Sequence, residues 1–115
     1  MRKISKSFLF AFNGLIYAFK TQLNFKVHCF SAIVAIFLGL YVKLNTAEWL
    51  WISLAIALVL VLELLNTAIE VLVDLVSPER NDKAGAIKDL AAAAVAVTSL
   101  LALAIGLFIF VPKFI

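Results

Sequence analysis

Polar residues are sparse along this chain of 115 residues, and between them lie three apolar runs: about Val27 to Leu44, Trp49 to about Val76, and Leu90 to Val111. Each comes close to or exceeds the roughly 20 residues that a helix needs to cross a bilayer. The pattern therefore predicts an all-α membrane protein with spans over 27–44, 49–76 and 84–111. Between the first two runs, Lys43-Leu44-Asn45-Thr46-Ala47-Glu48 is short and polar, and Trp49 and Trp51 follow it where indoles anchor at a membrane interface. That predicts a tight helical hairpin. The second connection, Ser77-Pro78-Glu79-Arg80-Asn81-Asp82-Lys83, combines a proline that ends a helix with side chains able to cap the next one. It predicts a cytoplasmic connection over 77–83, with the loop proper from Ser77 to Asn81 and a new helix after it.

Ahead of the first span the rhythm changes. Over residues 5–22, Phe8, Phe12, Leu15 and Phe19 recur at helical spacing, while Lys6, Asn13 and Lys20 fall every seventh residue on another face. This is the pattern of an amphipathic helix lying along the membrane surface. Two roles are open to it: an anchor whose lysines contact anionic lipid, or a lid over a site in the spans.

Within the second span, Glu63, Asn66, Glu70 and Asp74 interrupt an otherwise apolar run. At about 100° per residue, the last three lie about −60°, −20° and +20° from Glu63, so all four share one helix face. Ionisable groups at such depth are expensive and usually functional, and they turn away from lipid. A composition of 65% hydrophobic and 15% charged residues, with a mean hydropathy of +1.12, excludes an ordinary soluble domain. So few spans leave little room to surround a polar stripe, and partner copies are expected to complete it, making a homo-oligomer. The lone Cys29 permits no intrachain disulfide and reads as a packing residue. The basic start Met1-Arg2-Lys3 is not followed by a cleavable core and a soluble domain, so the whole chain is expected to stay in the bilayer. No nucleic-acid partner is expected.

Charge sets an orientation. Arg2, Lys3, Lys6, Lys20 and Lys26 precede the first span, and Arg80, Lys83 and Lys88 surround the second loop, against Lys43 and Lys113 on the other side. The expectation is a multi-pass protein of the bacterial cytoplasmic membrane, N-terminus inside and C-terminus outside. Counting from Trp49, about 20 residues at ~1.5 Å each cross the ~30 Å of hydrocarbon near Ile69. Glu70 and Asp74 then emerge at the cytoplasmic surface, with Glu63 about two turns deeper. In the third span, Ala91 to Ala94, Ala96, Ala102, Ala104 and Gly106 suit close helix packing in lipid. Lys88-Asp89 at its start reads either as an interfacial snorkelling pair or as a partner of the stripe.

Carboxylates, an amide and a lysine at that depth suit phosphoryl transfer to a lipid alcohol. A carboxylate such as Glu70 holds Mg²⁺, lysine offsets phosphate charge, and a separate carboxylate accepts the proton of an attacking hydroxyl. No Walker loop or glycine-rich kinase loop is present, and the four glycines are scattered. The rival reading is a small proton-coupled transporter subunit with Glu63 as the proton carrier. The acids crowded at the cytoplasmic end and Lys88-Asp89 would have no role in it.

The run Glu63-x-x-Asn66-Thr67-Ala68-Ile69-Glu70-x-x-Val73-Asp74, followed by Lys88-Asp89-x-Ala91-Ala92-x-Ala94-Val95, resembles the prokaryotic integral-membrane diacylglycerol kinase and undecaprenol kinase family. Lys6, Gly14, Phe25, the Ser77-Pro78-Glu79 loop and the three-span plan extend the resemblance over nearly the whole chain. It implies a homotrimer that transfers the γ-phosphate of MgATP to a lipid hydroxyl. By position, it implies Glu63 as catalytic base, Glu70 as metal-binding carboxylate and Asn66 as an amide near the reacting groups. Lys88, Asp89, Glu79, Arg80 and Asn81 match positions at the nucleotide. Lys3 and Phe10 stand where other members carry an arginine and an aromatic that contact ATP, and lysine lacks the planar guanidinium fork. Gln22 stands where many members have a glutamate as second metal ligand. Either Mg²⁺ is held more loosely here, or another acid, with Asp74 the candidate, compensates.

That departure opens a further alternative, a catalytically weakened member serving as an assembly or regulatory subunit. His28 stands where some members carry an acid and others a histidine. It reads either as an interfacial polar residue or as a contact for the lipid headgroup, and not as a metal ligand, since no second His or Cys lies at ligand spacing. Diacylglycerol and undecaprenol both present a primary hydroxyl near the headgroup plane, so the motif leaves both open as substrate.

Overall fold

A computed structural model describes residues 2–115 as four helices: α1 (Arg2–Thr21), α2 (Leu23–Val42), α3 (Thr46–Val76) and α4 (Asp82–Phe114). The last three are long and apolar enough to cross a membrane. The molecule is a slab of 52 × 41 × 21 Å, about two helix diameters thick. Helices α3 and α4 share the most extensive packing, and α2 packs on α3.

Helix α1 starts at Arg2, before the apolar rhythm does, and the residues of its first turns are exposed. A single extended residue, Gln22 (φ −116°, ψ 111°), separates it from α2. The ladder is barely interrupted there, because the Gln22 N–H donates to the Ala18 carbonyl at 2.9 Å and the Gln22 carbonyl accepts from Lys26 at 3.3 Å. Helix α2 therefore begins four residues ahead of the apolar run at Val27. Its first turn mixes Leu23 and buried Phe25 with Asn24 and Lys26, whose ammonium lies 5.7 Å from the centre of the Phe19 ring.

The α2–α3 hairpin closes on Gly39. Its carbonyl accepts from both the Lys43 and Leu44 N–H groups, and Lys43 takes the left-handed conformation (φ 58°) that ends the helix. Leu44 and the Trp49 indole fold back over this point. A Cβ on Gly39 would sit 2.7 Å from Trp49 Cη2 and 2.9 Å from Leu44 Cδ1. Helix α3 starts on a capping box: Asn45 Oδ1 accepts from the Glu48 N–H at 2.9 Å, and Glu48 Oε1 accepts from the Asn45 N–H at 3.0 Å. Lys113, near the end of α4, pairs with Glu48 at 3.1 Å. That contact anchors the final turn, and α4 runs past Pro112 to Phe114 instead of ending at Val111.

At the opposite end, Asn81 Oδ1 accepts from Lys83 at 2.9 Å and Ala84 at 3.4 Å. Helix α4 accordingly starts at Asp82, so the loop is Ser77 to Asn81 as expected, and Asp82 and Lys83, at the end of the 77–83 connection, are already helical. At ~1.5 Å per residue, α2 is about 30 Å long, while α3 and α4 reach about 46 Å and 50 Å. Both are longer than the ~30 Å of a hydrocarbon layer, and from the shared hairpin α3 reaches past the start of α2.

One face of α3 is buried along most of its length. Ile52, Ala55 and Val59 line its lower half, and Glu63, Asn66, Thr67 and Val73 continue it. The polar stripe thus begins as an extension of the packing stripe, and on α4, which packs against α3, Ala91 and Val95 are also buried. Gly39→Val should destabilise the hairpin by about 1–3 kcal/mol through overpacking against a rigid indole. Unfolding in mixed micelles checks this, and an unchanged midpoint would mean that Trp49 does not pack there.

Candidate functional site

Glu63 is the most deeply buried charged residue described, at 1% exposure. It stands in the middle of α3, and across the interface His28 of α2 places Nε2 3.6 Å from its Oε1. Oε1 has no hydrogen-bond partner. The Thr67 hydroxyl one turn on is also buried, but it donates at 2.9 Å to the Glu63 backbone carbonyl, as hydroxyls inside helices commonly do. Neither Thr67 nor the position of His28 beside Glu63 was visible in the sequence. The signal for His28 was positional, since His28 and Glu63 lie at similar heights along an antiparallel pair.

Asn66 bridges towards the surface. Its Nδ2 donates to Glu70 Oε1 at 3.3 Å, while its own Oδ1 is buried without a partner. Glu70 is half-buried. Two buried acceptor oxygens, Glu63 Oε1 and Asn66 Oδ1, therefore lie near a carboxylate, which is the donor chemistry of a hard cation or of hydrogen-bond donors on a substrate. Among the described residues no three His, Cys, Asp or Glu side chains cluster as a ready-made metal cage. Such a donor set suits Mg²⁺, which takes one or two carboxylates and completes its shell with phosphates and water.

A turn above Glu70, Asp74 is exposed and meets Lys88 of α4, with Nζ 2.6 Å from Oδ1. Lys88 thereby joins the stripe, while Asp89 beside it is exposed. Gln22 lies half-buried at the α1–α2 break and makes no capping bond. The remaining positions singled out in the sequence are not drawn in. Lys3 and Phe10 are exposed on α1, and Glu79 and Arg80 are exposed in the loop. The Asn81 side chain is occupied as the α4 cap.

One turn from Glu63, Val59 and Leu60 border an apolar groove of about 540 Å³ walled by α2, α3 and α4. Its polar lining comes from His28, Ser31 and Ser99. The Ser99 hydroxyl is buried and unpartnered, another feature the sequence did not signal.

Residues 9–110 match the family described as prokaryotic diacylglycerol kinase. The chain is 41% identical to the undecaprenol kinase of Bacillus subtilis over 113 residues, which are 98% of this chain and 92% of that protein. It is 37% identical to a diacylglycerol kinase of Synechocystis over 92% of its own length and 61% of that protein. With the diacylglycerol kinase of Haemophilus influenzae it shares 35% identity over 75% of its length and 73% of the relative's. A stripe of acids that runs from buried Glu63 to exposed Asp74 on a helical scaffold with three candidate spans, and these similarities, lead to one assignment: the chain belongs to the prokaryotic diacylglycerol kinase family.

Proposed function

We propose that this chain is a lipid kinase that transfers the γ-phosphate of MgATP to the hydroxyl of a membrane alcohol of the diacylglycerol or undecaprenol type. The observation that carries the reading is Glu63, a carboxylate buried on the packed face of a membrane helix in a chain whose relatives are named as kinases of these two lipids. Neither a transporter nor a regulatory subunit is favoured by those relatives.

Glu63 serves as general base, taking the proton of the lipid hydroxyl as that oxygen attacks phosphorus. Asn66 orients the neighbouring carboxylate through its amide N–H. Glu70, with Gln22 as a second and weaker oxygen donor, would hold Mg²⁺. The ion supplies charge neutralisation at the phosphate oxygens when bound. Lys88, held by Asp74, together with Asp89, Lys3, Phe10, Glu79, Arg80 and Asn81, forms the ATP-facing set, which the resemblance groups and neighbouring copies would bring together. The groove beside Glu63 accommodates apolar chain from the lipid. Helix α1 lies along the cytoplasmic surface as an amphipathic element, with the N-terminus inside and the C-terminus outside. Large apolar side chains such as Phe30, Phe37, Leu100 and Phe108 are exposed on a single copy. They suit lipid contact and assembly into a homotrimer in which neighbouring copies complete each site.

Glu63→Gln should insert and assemble normally yet lose about 10²- to 10⁴-fold in phosphate transfer, the usual contribution of a positioned base. Turnover above a few per cent of native would reject Glu63 as base. Glu70→Ala should lose activity that high Mg²⁺ partly restores, and normal activity at ordinary Mg²⁺ counts against ligation. Gln22→Glu, which adds a charged oxygen donor, should shift the Mg²⁺ titration to lower concentration. An unchanged titration would show that position 22 does not reach the ion.

A further inference from the structure

We propose that His28 is a positioning residue for Glu63, holding Oε1 through an Nε2–H donor so that Oε2 alone faces the substrate hydroxyl. The inference rests on the kinase reading and assigns the base an orienting partner on another helix. A rise of ~1.5 Å per residue places His28 roughly 21 Å from the hairpin end of α2 and Glu63 roughly 25 Å from the hairpin end of α3. The antiparallel hairpin therefore brings them level. Nε2 lies 3.6 Å from Oε1, with the two side chains 23% and 2% exposed.

Oε1 is fully buried and accepts no hydrogen bond. An unpaired carboxylate oxygen in such surroundings is costly, so a donor on the facing helix has a direct effect on the state and aim of the base. The polar neighbours of Glu63 on its own helix do not supply one. Thr67 donates to the Glu63 backbone, Asn66 donates to Glu70, and Glu70 itself is an acceptor. Catalytic hydrogen bonds are often long before substrate binds, and a contraction of a few tenths of an ångström brings this pair into range.

In the transfer step, the lipid O–H proton passes to Glu63 Oε2. The new O–P bond forms, and the bond from the γ-phosphorus to the bridging oxygen of ADP breaks. His28 keeps its proton throughout. The imidazole N–H aims the carboxylate, and the ring holds the donor at a fixed distance from α2. A hydrogen bond to a charged group of this kind corresponds to about 10- to 100-fold in rate.

The test compares His28→Leu, which fills the space without a donor, with His28→Gln, which restores an N–H near the Nε2 position. Transfer from MgATP to each lipid is measured in mixed micelles. His28→Leu should lower kcat about 10- to 100-fold while KM for MgATP and lipid stays within about twofold, and His28→Gln should recover much of the loss. A native kcat in His28→Leu, a loss confined to KM, or a glutamine variant as slow as the leucine one would overturn the proposal. The chain holds one histidine, so the ring-nitrogen NMR signal of histidine-labelled protein reports His28 alone. It should show an Nε2–H tautomer that Glu63→Gln perturbs, and a ring signal indifferent to that change would also overturn the pairing. A native chain that phosphorylates neither lipid overturns the kinase reading instead, and the ring signal then decides separately whether the pair exists.

Discussion

Everything in this molecule is arranged around one costly placement, the Glu63 carboxylate on a packed helix face at membrane depth. A charge there needs exclusion from lipid and groups to face it. Helix α3 supplies the first by continuing its apolar packing stripe, Ile52, Ala55 and Val59, directly into Glu63 and Asn66. The second comes from the hairpin, which sets His28 beside it. The hairpin in turn depends on Gly39, where the absence of a side chain lets Trp49 and Leu44 fold over the helix end. A glycine far along the helix thus sets the height at which a histidine meets a glutamate.

The unequal helix lengths divide the polar stripe into two environments. Glu63 and Asn66 are buried between helices, where electrostatic interactions are strong and unpaired atoms are penalised. Asp74 and Lys88 meet at the α3–α4 end, where both are substantially exposed and water screens their pairing. The proposed chemistry uses this division: a water-soluble nucleotide approaches the exposed end, and a lipid hydroxyl meets the buried base. The α4 helix is fastened at both extremities, by the Asn81 cap and by the Lys113–Glu48 pair.

The three spans were legible in the sequence because long apolar runs and polar turns are one-dimensional signals. The alignment of Glu63, Asn66 and Glu70 on one face followed from helical periodicity. Helix ends were legible where a capping side chain marks them, as at Asn81, and less so at Gln22 and beyond Pro112, where backbone bonds carry the helix past the apolar run and hydropathy does not see them. His28 beside Glu63 and the orphaned Ser99 hydroxyl depend on how separate helices register, which no single segment encodes. Lys3, Phe10, Glu79 and Arg80 stand apart from the buried acids in a single chain. Their grouping comes from resemblance, and neighbouring copies in the proposed homotrimer would supply the rest of each site.

The central claim is that this scaffold moves a phosphate onto a lipid. The most direct measurement is transfer of labelled γ-phosphate from MgATP by the purified protein in mixed micelles, with diacylglycerol and undecaprenol offered separately. The account predicts labelled lipid from at least one of the two, and the better substrate identifies the alcohol. A folded, assembled protein that labels neither would contradict it.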